Sequence, residues 1–241
     1  MRSLRIAFGL LTTLPIRLPE NWSAGDSGRA AVWYPFVGLI IGGITWLAWK
    51  GTMLVLHPIV ASVIVLIVWI ALTGGLHLDG LADCCDGLLA SATPERRLEI
   101  MKDPRLGAFG VIGLILILFL KAAVLGTLTS STSLGIVLAA SLSRWFILPV
   151  ALFPLARTGG MGADFSSGVR RSSIYISALL PFGMAIALGL RGVFSIAAGF
   201  IAIGLILLLA KKRIGGVTGD VFGLVVEVVE AIVLLVFLVG V

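Results

Sequence analysis

The stretch PIVASVIVLIVWIALTGGLHLDGLADCCDG, residues 58–87, joins a long apolar run to a short charged one. Its first 19 residues, 58–76, carry no charged side chain. A helix of about 20 residues crosses the roughly 30 Å hydrocarbon core of a bilayer. The next eleven residues, 77–87, hold one histidine and three aspartates. This stretch therefore predicts a membrane-spanning helix followed by a cluster of carboxylates at the membrane boundary.

The composition of the whole chain agrees with a membrane protein. Its 241 residues are 59% hydrophobic and 12% charged, and the mean hydropathy is +1.14. These values lie far outside the range of water-soluble domains. Spanning segments must be helical here, because lipid offers backbone groups no other hydrogen-bonding partner. We predict an all-α, polytopic membrane helix bundle in which residues 1–241 form a single integral membrane domain.

Seven apolar segments are long enough to be drawn as transmembrane helices. They are residues 32–49, 58–76, 107–128, 132–156, 173–190, 192–210 and 221–241. Residues 1–31 precede them and begin with MRSLRIAFGLLTTLPIRLP, a basic and apolar start with no small-residue cleavage site after it. This pattern predicts an uncleaved interfacial or re-entrant segment.

The Lys and Arg residues distinguish the two sides of this bundle. If the segments alternate in direction, four connections share one side: residues 1–31, 77–106, 157–172 and 211–220. They hold 14 Lys or Arg residues, whereas the opposite side holds Lys50 and Arg191. Because cytoplasmic loops are rich in Lys and Arg, we expect a cytoplasmic (inner) membrane location, with the N-terminus and the active face cytoplasmic and the C-terminus external. The net charge is +6, but the basic residues form no continuous stripe, so we expect no nucleic-acid partner.

The longest of these connections, the motif loop 77–106, carries the carboxylates. We expect the second segment to continue as helix through them. A short helix is then predicted from Thr93, with Pro94 in its first position and Glu95 in its first turn.

Asp79, Asp83 and Asp86 follow the spacing i, i+4, i+7, which places them on one helical stripe about 60° wide. Neighbouring carboxylates repel one another, and a divalent cation relieves that repulsion. Ligands that are all oxygen suit Mg²⁺, so we predict a magnesium site. The alternative is a solvated polar face that caps the second helix. His77, just before the stripe, is a candidate proton acceptor or metal ligand, or a residue that only forms a hydrogen bond at the interface.

The sequence EIMKDPRLGAFG, residues 99–110, combines acids with bases before the third apolar segment. Lys102 and Arg105 are predicted to neutralise phosphate, and Asp103 to assist a metal or orient Arg105. Glu99 completes this candidate substrate-binding group. Anchoring of the helix by positive charge is the alternative, and it explains the bases better than the acids.

The sequence GGVTGD, residues 215–220, opens the seventh apolar segment. Backbone amides at Gly215, Gly216 and Thr218 are candidates to hold phosphate oxygens. Asp220 is a candidate catalytic acid or base, and it would otherwise balance charge or bind metal. A glycine-rich loop alone is a weak signal.

Glu227 and Glu230 lie within the same apolar segment. Ionisable groups inside a membrane are costly and usually face a partner or a water-filled cavity. Arg144, midway along the fourth segment, is the predicted partner. Lys121 is a poorer candidate, because its helix has by then travelled toward the outer side. A buried structural pair that fixes helix registry is at least as good an explanation as catalysis.

Three motifs in this order, HLDGLADCCDG, RRLEIMKDPRLGAFG and GGVTGD with its trailing VEVVE, resemble the cobalamin synthase family, also called the adenosylcobinamide-GDP ribazoletransferase family. The resemblance extends over the chain and includes LTTLPIRLPENWS and WYPFVGLIIGGI. It implies a Mg²⁺-dependent membrane enzyme that joins adenosylcobinamide-GDP to α-ribazole or its 5′-phosphate. The products would be adenosylcobalamin or its 5′-phosphate, and GMP.

Two alternatives stay open at this stage. The sequence DGLAD also resembles the start of the CDP-alcohol phosphotransferase motif, but Asp83 stands where that motif has arginine. A cation or cofactor transporter could use Glu227 and Glu230 along its path, although transporters place coupling sites near the midplane and most carboxylates here lie at one boundary. The sequence leaves open the acceptor, the corrinoid pocket, the number of metal ions and whether protomers form a homo-oligomer.

Overall fold

The computed structural model describes residues 1–19 and 21–239, and within them twelve α-helices form the fold. The helices are α1 (Arg2–Leu11), α2 (Asp26–Ala30), α3 (Tyr34–Val55), α4 (Pro58–Thr73), α5 (Leu76–Leu89), α6 (Pro94–Ile100), α7 (Ala108–Thr127), α8 (Gly135–Val150), α9 (Gly160–Gly168), α10 (Arg171–Ala187), α11 (Leu190–Ile214) and α12 (Gly219–Val236). A short 3₁₀ turn, Ala31–Trp33, links α2 to α3. The all-α prediction is confirmed.

Each of the seven predicted apolar segments contains a helix, namely α3, α4, α7, α8, α10, α11 and α12. Three stretches of the described chain are long and apolar enough to cross a membrane: Asp26–Val55, Ala108–Thr127 and Leu190–Ile214. The pair α4 and α5 gives a fourth if the two are counted as one broken span. Helices α8 and α10 are shorter, with 16 and 17 residues. The structure thus has the helices of a membrane bundle, while the count of seven crossings stays a prediction.

The aspartates lie on a helix, as predicted, but this helix, α5, is separated from α4 by a sharp bend. Helices α4 and α5 meet at 94°. Gly74 and Gly75 lie between them with φ of +64° and +71°, in the left-handed region that glycine adopts without steric cost. Two left-handed residues in succession end α4 and redirect the chain. The helix that carries the carboxylates is therefore roughly perpendicular to the apolar helix before it.

The short helix predicted in the motif loop is confirmed as α6. The hydroxyl of its predicted cap, Thr93, accepts the N–H of Arg96. Arg97 is buried and donates to the carbonyls of Gly87 and Leu88 at 3.0 and 2.7 Å. Those carbonyls end α5 without helical partners of their own. Arg97 therefore stabilises the end of α5 and fixes α6 against it.

The N-terminal segment closes one end of the bundle beside the α4–α5 bend. In α1 the side chains of Ile6, Ala7 and Leu11 are buried. The N–H of Thr13 then donates to the carbonyl of Leu72 at 2.9 Å. The predicted interfacial or re-entrant segment is thus a helix that buries one face against the protein, with its end tied to α4.

Helices α5 and α12 pack almost backbone to backbone at their first turns. A Cβ atom added to Gly80 would lie 2.8 Å from the carbonyl oxygen of Asp220, and one added to Gly223 would lie 2.9 Å from that of His77. Any larger residue at either position would push the helices apart. The close approach brings the start of the aspartate stripe next to Asp220.

Candidate active site

A cleft opens where α5 and α12 meet. Its polar lining includes Ser27, His77, Asp79, Arg157 and Asp220. Its apolar lining includes Leu10, Leu11, Tyr34, Ile147, Met161, Phe165 and Phe222. We call it the acidic cleft. The two predicted catalytic residues, His77 and Asp220, and one predicted metal ligand, Asp79, are brought together in it, although they lie on different helices.

Asp83 lies one turn beyond Asp79 on α5 and is half-buried. Burial, followed by repulsion from Asp79 and Asp220, raises the pKa of its carboxyl to about 7. The carboxylates of the stripe therefore repel one another, as the sequence suggested, and each disfavours the charged form of its neighbour. A cation beside Asp83 would favour its ionised form.

Asp220 is held at the start of α12 by two donors to one oxygen. Its Oδ2 accepts from Arg157 Nη2 at 3.2 Å and from Thr218 Oγ1 at 3.1 Å. Burial raises the pKa of this carboxyl, and Arg157 opposes the shift. Its Oδ1 accepts no hydrogen bond from the described residues, so that oxygen is left for a ligand or a proton.

Arg157 is a site residue that the sequence did not reveal. It lies in the segment 157–172, where it counted only as one positive charge of a cytoplasmic loop. No spacing pattern links it to Asp220, which is 63 residues away. The two meet because Leu155 bridges to Val217, with Ala156 N–H donating to the Val217 carbonyl at 2.9 Å. Only the tertiary structure brings this arginine to the carboxylates.

Asp86, the third residue of the stripe, is buried and bonded to the protein. One of its oxygens accepts the N–H of Gly107 and the other that of Gly110, both at 2.8 Å. These are groups at the start of α7 that lack helical partners. The structure thus gives Asp86 a capping contact that the sequence did not predict.

A second cleft lies at the other end of the stripe. Its lining includes Asp86, Arg96, Glu99, Asp103 and Arg105. Three of the four predicted substrate-binding residues of the 99–110 motif are therefore together there. Lys102, the fourth, is exposed and is not part of that lining.

Asp103 does orient Arg105, as the motif suggested. Its carboxylate accepts from Arg105 Nε at 2.9 Å and from Nη2 at 2.6 Å. These bonds hold the pKa of Asp103 well below its usual range. The paired geometry fixes the plane of the guanidinium at the edge of the second cleft.

The glycine-rich motif 215–218 is largely engaged within the protein. Gly215 ends α11 with φ of +81°, and its N–H donates to the Lys211 carbonyl. Gly216 packs against the backbone at 154–156. The N–H of Val217 donates to the Pro154 carbonyl at 2.9 Å. Thr218 is buried and bonds to Asp220. The amides of residues 215 and 217, at least, are committed to the protein and not to a phosphate.

Among residues 1–19 and 21–239, no group of three His, Cys, Asp or Glu side chains is close enough to hold a metal ion. Asp79, Asp83 and Asp86 share a stripe, but they do not converge on one point. The magnesium site therefore stays a proposal and needs oxygens from elsewhere.

The acids inside the membrane helix form a second charged group, which we call the buried charge cluster. Lys121 Nζ lies 2.5 Å from Glu227 Oε2 and 2.5 Å from Glu230 Oε2, and Arg144 Nη1 donates to Glu230 Oε1. The predicted Arg144 partnership is confirmed. The prediction that Lys121 is a poorer partner is wrong.

The prediction about Lys121 failed because it overestimated the difference in membrane depth between this lysine and the two glutamates. Lys121 lies thirteen residues into α7, about 20 Å along its axis, and Glu230 lies eleven residues into α12, about 17 Å along that axis. The two helices begin near the same boundary, so the difference is small enough for the four-carbon stem of lysine to span. Local apolar pattern gives no such register between helices.

Together, the helices and the acidic cleft define an all-α membrane protein with a carboxylate-rich site at one end of its bundle. The profile of the cobalamin-5-phosphate synthase family matches residues 3–238. The chain belongs to this family of enzymes, and the resemblance inferred from its motifs is confirmed.

Similar proteins match over almost their whole length. The adenosylcobinamide-GDP ribazoletransferase of Desulfitobacterium hafniense is 40% identical, with 98% of this chain and 96% of that protein covered. The enzymes of the same name from Stutzerimonas stutzeri and Pseudomonas aeruginosa PAO1 are 39% and 35% identical, each with 97% of this chain and 96% of the relative covered. No solved structure matches the chain.

Proposed function

We propose that this protein joins adenosylcobinamide-GDP to α-ribazole, or to α-ribazole 5′-phosphate, with release of GMP and with Mg²⁺ as cofactor. The product is adenosylcobalamin or its 5′-phosphate. The observation that carries the proposal is the acidic cleft, where the first and third of the family-like motifs meet through His77, Asp79 and Asp220. The names of the relatives supply the substrates, and the cleft supplies a place for phosphate chemistry.

The residues of the cleft fit a magnesium ion that is completed by its substrate. Mg²⁺ usually keeps several waters and takes one or two carboxylates together with substrate phosphates. Asp79 lines the cleft and Asp83 follows one turn later, and both offer only oxygen. We propose these two as ligands. When bound, the ion would supply positive charge to the pyrophosphate oxygens of the donor.

Asp86, the remaining member of the predicted metal set, has a different place in this proposal. Both of its oxygens already accept backbone N–H groups of α7. We propose that it anchors α7 to the stripe and so holds Asp83 in position. A comparison of Asp86 variants with Asp83 variants distinguishes an anchor of α7 from a metal ligand.

The acceptor needs a group that takes its proton. In this reaction the 3′-hydroxyl of α-ribazole attacks the phosphorus nearer the corrinoid, the bond to the GMP oxygen breaks, and GMP leaves with the bonding electrons. We propose Oδ1 of Asp220 as the proton acceptor, because Oδ2 is held by two donors while Oδ1 is free of them. His77, buried in the same lining with an Nδ1 that has no hydrogen-bond partner among the described residues, is the second candidate.

We propose that the second cleft contacts part of the donor. It begins at Asp86, two turns along α5 from Asp79, so a long substrate could lie along the stripe. Arg105, oriented by Asp103, would face its phosphate or polar groups. Glu99 lies in the same lining, and we propose that the exposed Lys102 beside this cleft contacts a solvent-facing part of the ligand. Thr218 acts through Asp220, and Gly215 and Gly216 shape the loop beneath it.

The proposed location is the cytoplasmic (inner) membrane, with the N-terminus, the acidic cleft and the second cleft on the cytoplasmic side and the C-terminus outside. The support is the uneven distribution of Lys and Arg over the connections. All the residues that line the two clefts belong to the connections on the Lys- and Arg-rich side or to helix ends next to them. A cytoplasmic face also gives access to nucleotide substrates.

The test is GMP release by the purified protein in detergent micelles, without sealed vesicles. Adenosylcobinamide-GDP is supplied with α-ribazole in one reaction and α-ribazole 5′-phosphate in another. GMP that appears with Mg²⁺ and not with a chelator supports the proposal, and the faster acceptor identifies the preferred substrate. Absence of GMP with both acceptors would refute it. Transport is disfavoured because Glu227 and Glu230 are already paired with cations.

A further inference from the structure

Arg157 has an unused hydrogen-bond donor at the acidic cleft. Its Nη2 makes one bond to Asp220, at 3.2 Å. Its Nη1 is shielded from solvent and has no acceptor among the described residues. An N–H group left without a partner in this way destabilises the folded protein. Such groups are rare in native proteins, and a missing ligand is one of their ordinary explanations.

Arg157 is also the one Lys or Arg among the described residues that line the acidic cleft. Asp79 and Asp220 lie in the same lining, and Asp83 is close enough to be affected by both. A phosphate that enters this cleft meets a surplus of negative charge. A guanidinium beside it offsets part of that charge, and its planar array of N–H groups matches phosphate oxygens.

The chain around Arg157 leaves space for such a ligand. Arg157 also lines a smaller cleft next to the acidic one, together with Gly159, Gly160 and Gly162. A Cβ atom added to Gly159 or Gly160 would meet nothing within 4 Å. Two of the residues that share this smaller cleft with the arginine, Gly159 and Gly160, therefore have open space beside them.

We propose that Arg157 is a phosphate-binding residue, in which Nη1 donates to a phosphate oxygen of a nucleotide substrate while Nη2 holds Asp220. The identity of the nucleotide rests on the proposed function. Two sources of phosphate are available: the pyrophosphate of the GDP-activated donor and the 5′-phosphate of a phosphorylated acceptor. Both present the same oxygen chemistry to the guanidinium.

Direct binding to the purified protein in detergent, with Mg²⁺ present, tests this inference. The probes are GDP, α-ribazole 5′-phosphate and phosphate-free α-ribazole. Arg157→Gln should weaken at least one phosphate-bearing probe by about 10-fold or more, the usual worth of a hydrogen bond to a charged group, and leave α-ribazole unchanged. A loss confined to GDP assigns the donor pyrophosphate, and a loss confined to α-ribazole 5′-phosphate assigns the acceptor.

Arg171→Gln is the matched control, because it removes the same charge from an exposed position in the same connection. It should bind all three probes as the wild type does. If Arg157→Gln proves unstable, Arg157→Lys carries the test, since it keeps the charge facing Asp220 and loses the planar fork. We expect it to bind the affected phosphate probe more weakly than the wild type.

Unchanged affinity of the Arg157 variants for both phosphate probes would overturn the inference. So would an equal loss for α-ribazole, which would make the residue a support of the cleft and not a phosphate ligand. These outcomes are independent of turnover. A wild type that binds GDP through Arg157 but releases no GMP would refute the proposed function and leave this inference standing.

Discussion

Helix α12 contributes to two groups of charged side chains. One group has equal numbers of acids and cations, and the other has an excess of acids. In the buried charge cluster, two acids meet two cations, and the exposed fraction of each side chain is 7% or less. In the described lining of the acidic cleft, Asp79 and Asp220 meet a single cation, Arg157, and the half-buried Asp83 follows one turn along α5. Paired charges in the membrane interior hold helices in register. Surplus charge at the boundary is stable only where water, a proton or a ligand compensates it.

The buried charge cluster is where we expect the largest effect of a single substitution. Glu230→Gln removes the acid that both Lys121 and Arg144 contact, and so leaves cationic charge uncompensated in the membrane interior. Breaking a buried pair in this way costs about 3–5 kcal/mol. We expect a large drop in the thermal unfolding temperature of the purified protein and a low folded yield.

Glu99→Gln is the matched control for Glu230→Gln. It is the same change at an exposed surface pair with Arg96, and such pairs contribute little to stability. Its unfolding temperature should equal that of the wild type. If Glu230→Gln were as stable as Glu99→Gln, the cluster would not be what holds α12 in place.

The acidic cleft should respond in the opposite manner, with loss of activity and not of stability. Asp83→Asn keeps the shape of the side chain and removes a charge that its neighbours already disfavour. We expect the unfolding temperature to be unchanged or higher. Mg²⁺-dependent GMP release should fall by about 100- to 1000-fold, the usual loss when one preorganised electrostatic group is removed.

Glu95→Gln removes an acid from the exposed surface of α6, outside both clefts, and should leave turnover unchanged. A titration with Mg²⁺ measures both variants. Turnover by Asp83→Asn with the magnesium dependence of the wild type would exclude Asp83 as a ligand.

The close contact between α5 and α12, which forms the acidic cleft, can be tested at Gly80. Gly80→Ala places a methyl group 2.8 Å from the Asp220 carbonyl oxygen, and that atom belongs to the backbone of α12. We expect a loss of about 1–3 kcal/mol in the free energy of unfolding, typical of overpacking. Turnover should fall as well, because the shift separates Asp79 from Asp220.

Gly183→Ala is the control for Gly80→Ala, since a Cβ atom there meets nothing within 4 Å. It lies in a helix and should be neutral or slightly stabilising. Comparable unfolding temperatures for the two alanine variants would show that the helices do not depend on this close approach.

Local sequence pattern predicted the helices and the stripe of aspartates, because a helix period relates residues within one segment. It failed wherever two segments had to be placed relative to one another. The pattern showed Gly74 and Gly75 but not the sign of their φ angles, so the 94° bend was missed. Lys121 was misjudged for lack of helix register, and Arg157 was overlooked because only tertiary structure brings it to Asp220.

The same difference between local pattern and tertiary packing applies to the candidate site. That His77 and the three aspartates lie close together on one helix could be predicted from their spacing alone. Which of them face one cleft could not, since Asp79 and Asp86 share a stripe and yet line different clefts. The sequence predicted that charged residues gather at the membrane boundary, whereas the packing of the helices determines which cleft each of them lines.

Asp86 gives the smallest expected effect and the sharpest distinction between a paired and a surplus charge. Its two bonds to α7 make it a helix cap, and loss of a cap costs about 0.5–2 kcal/mol. Asp86→Ala should therefore lower the unfolding temperature modestly. Asp86→Asn keeps one accepting oxygen and should lower the unfolding temperature less.

If Asp86 is an anchor, both variants keep the magnesium affinity of the wild type in the GMP-release assay. If it is a ligand, Asp86→Asn behaves like Asp83→Asn, with magnesium-dependent turnover lost and stability retained.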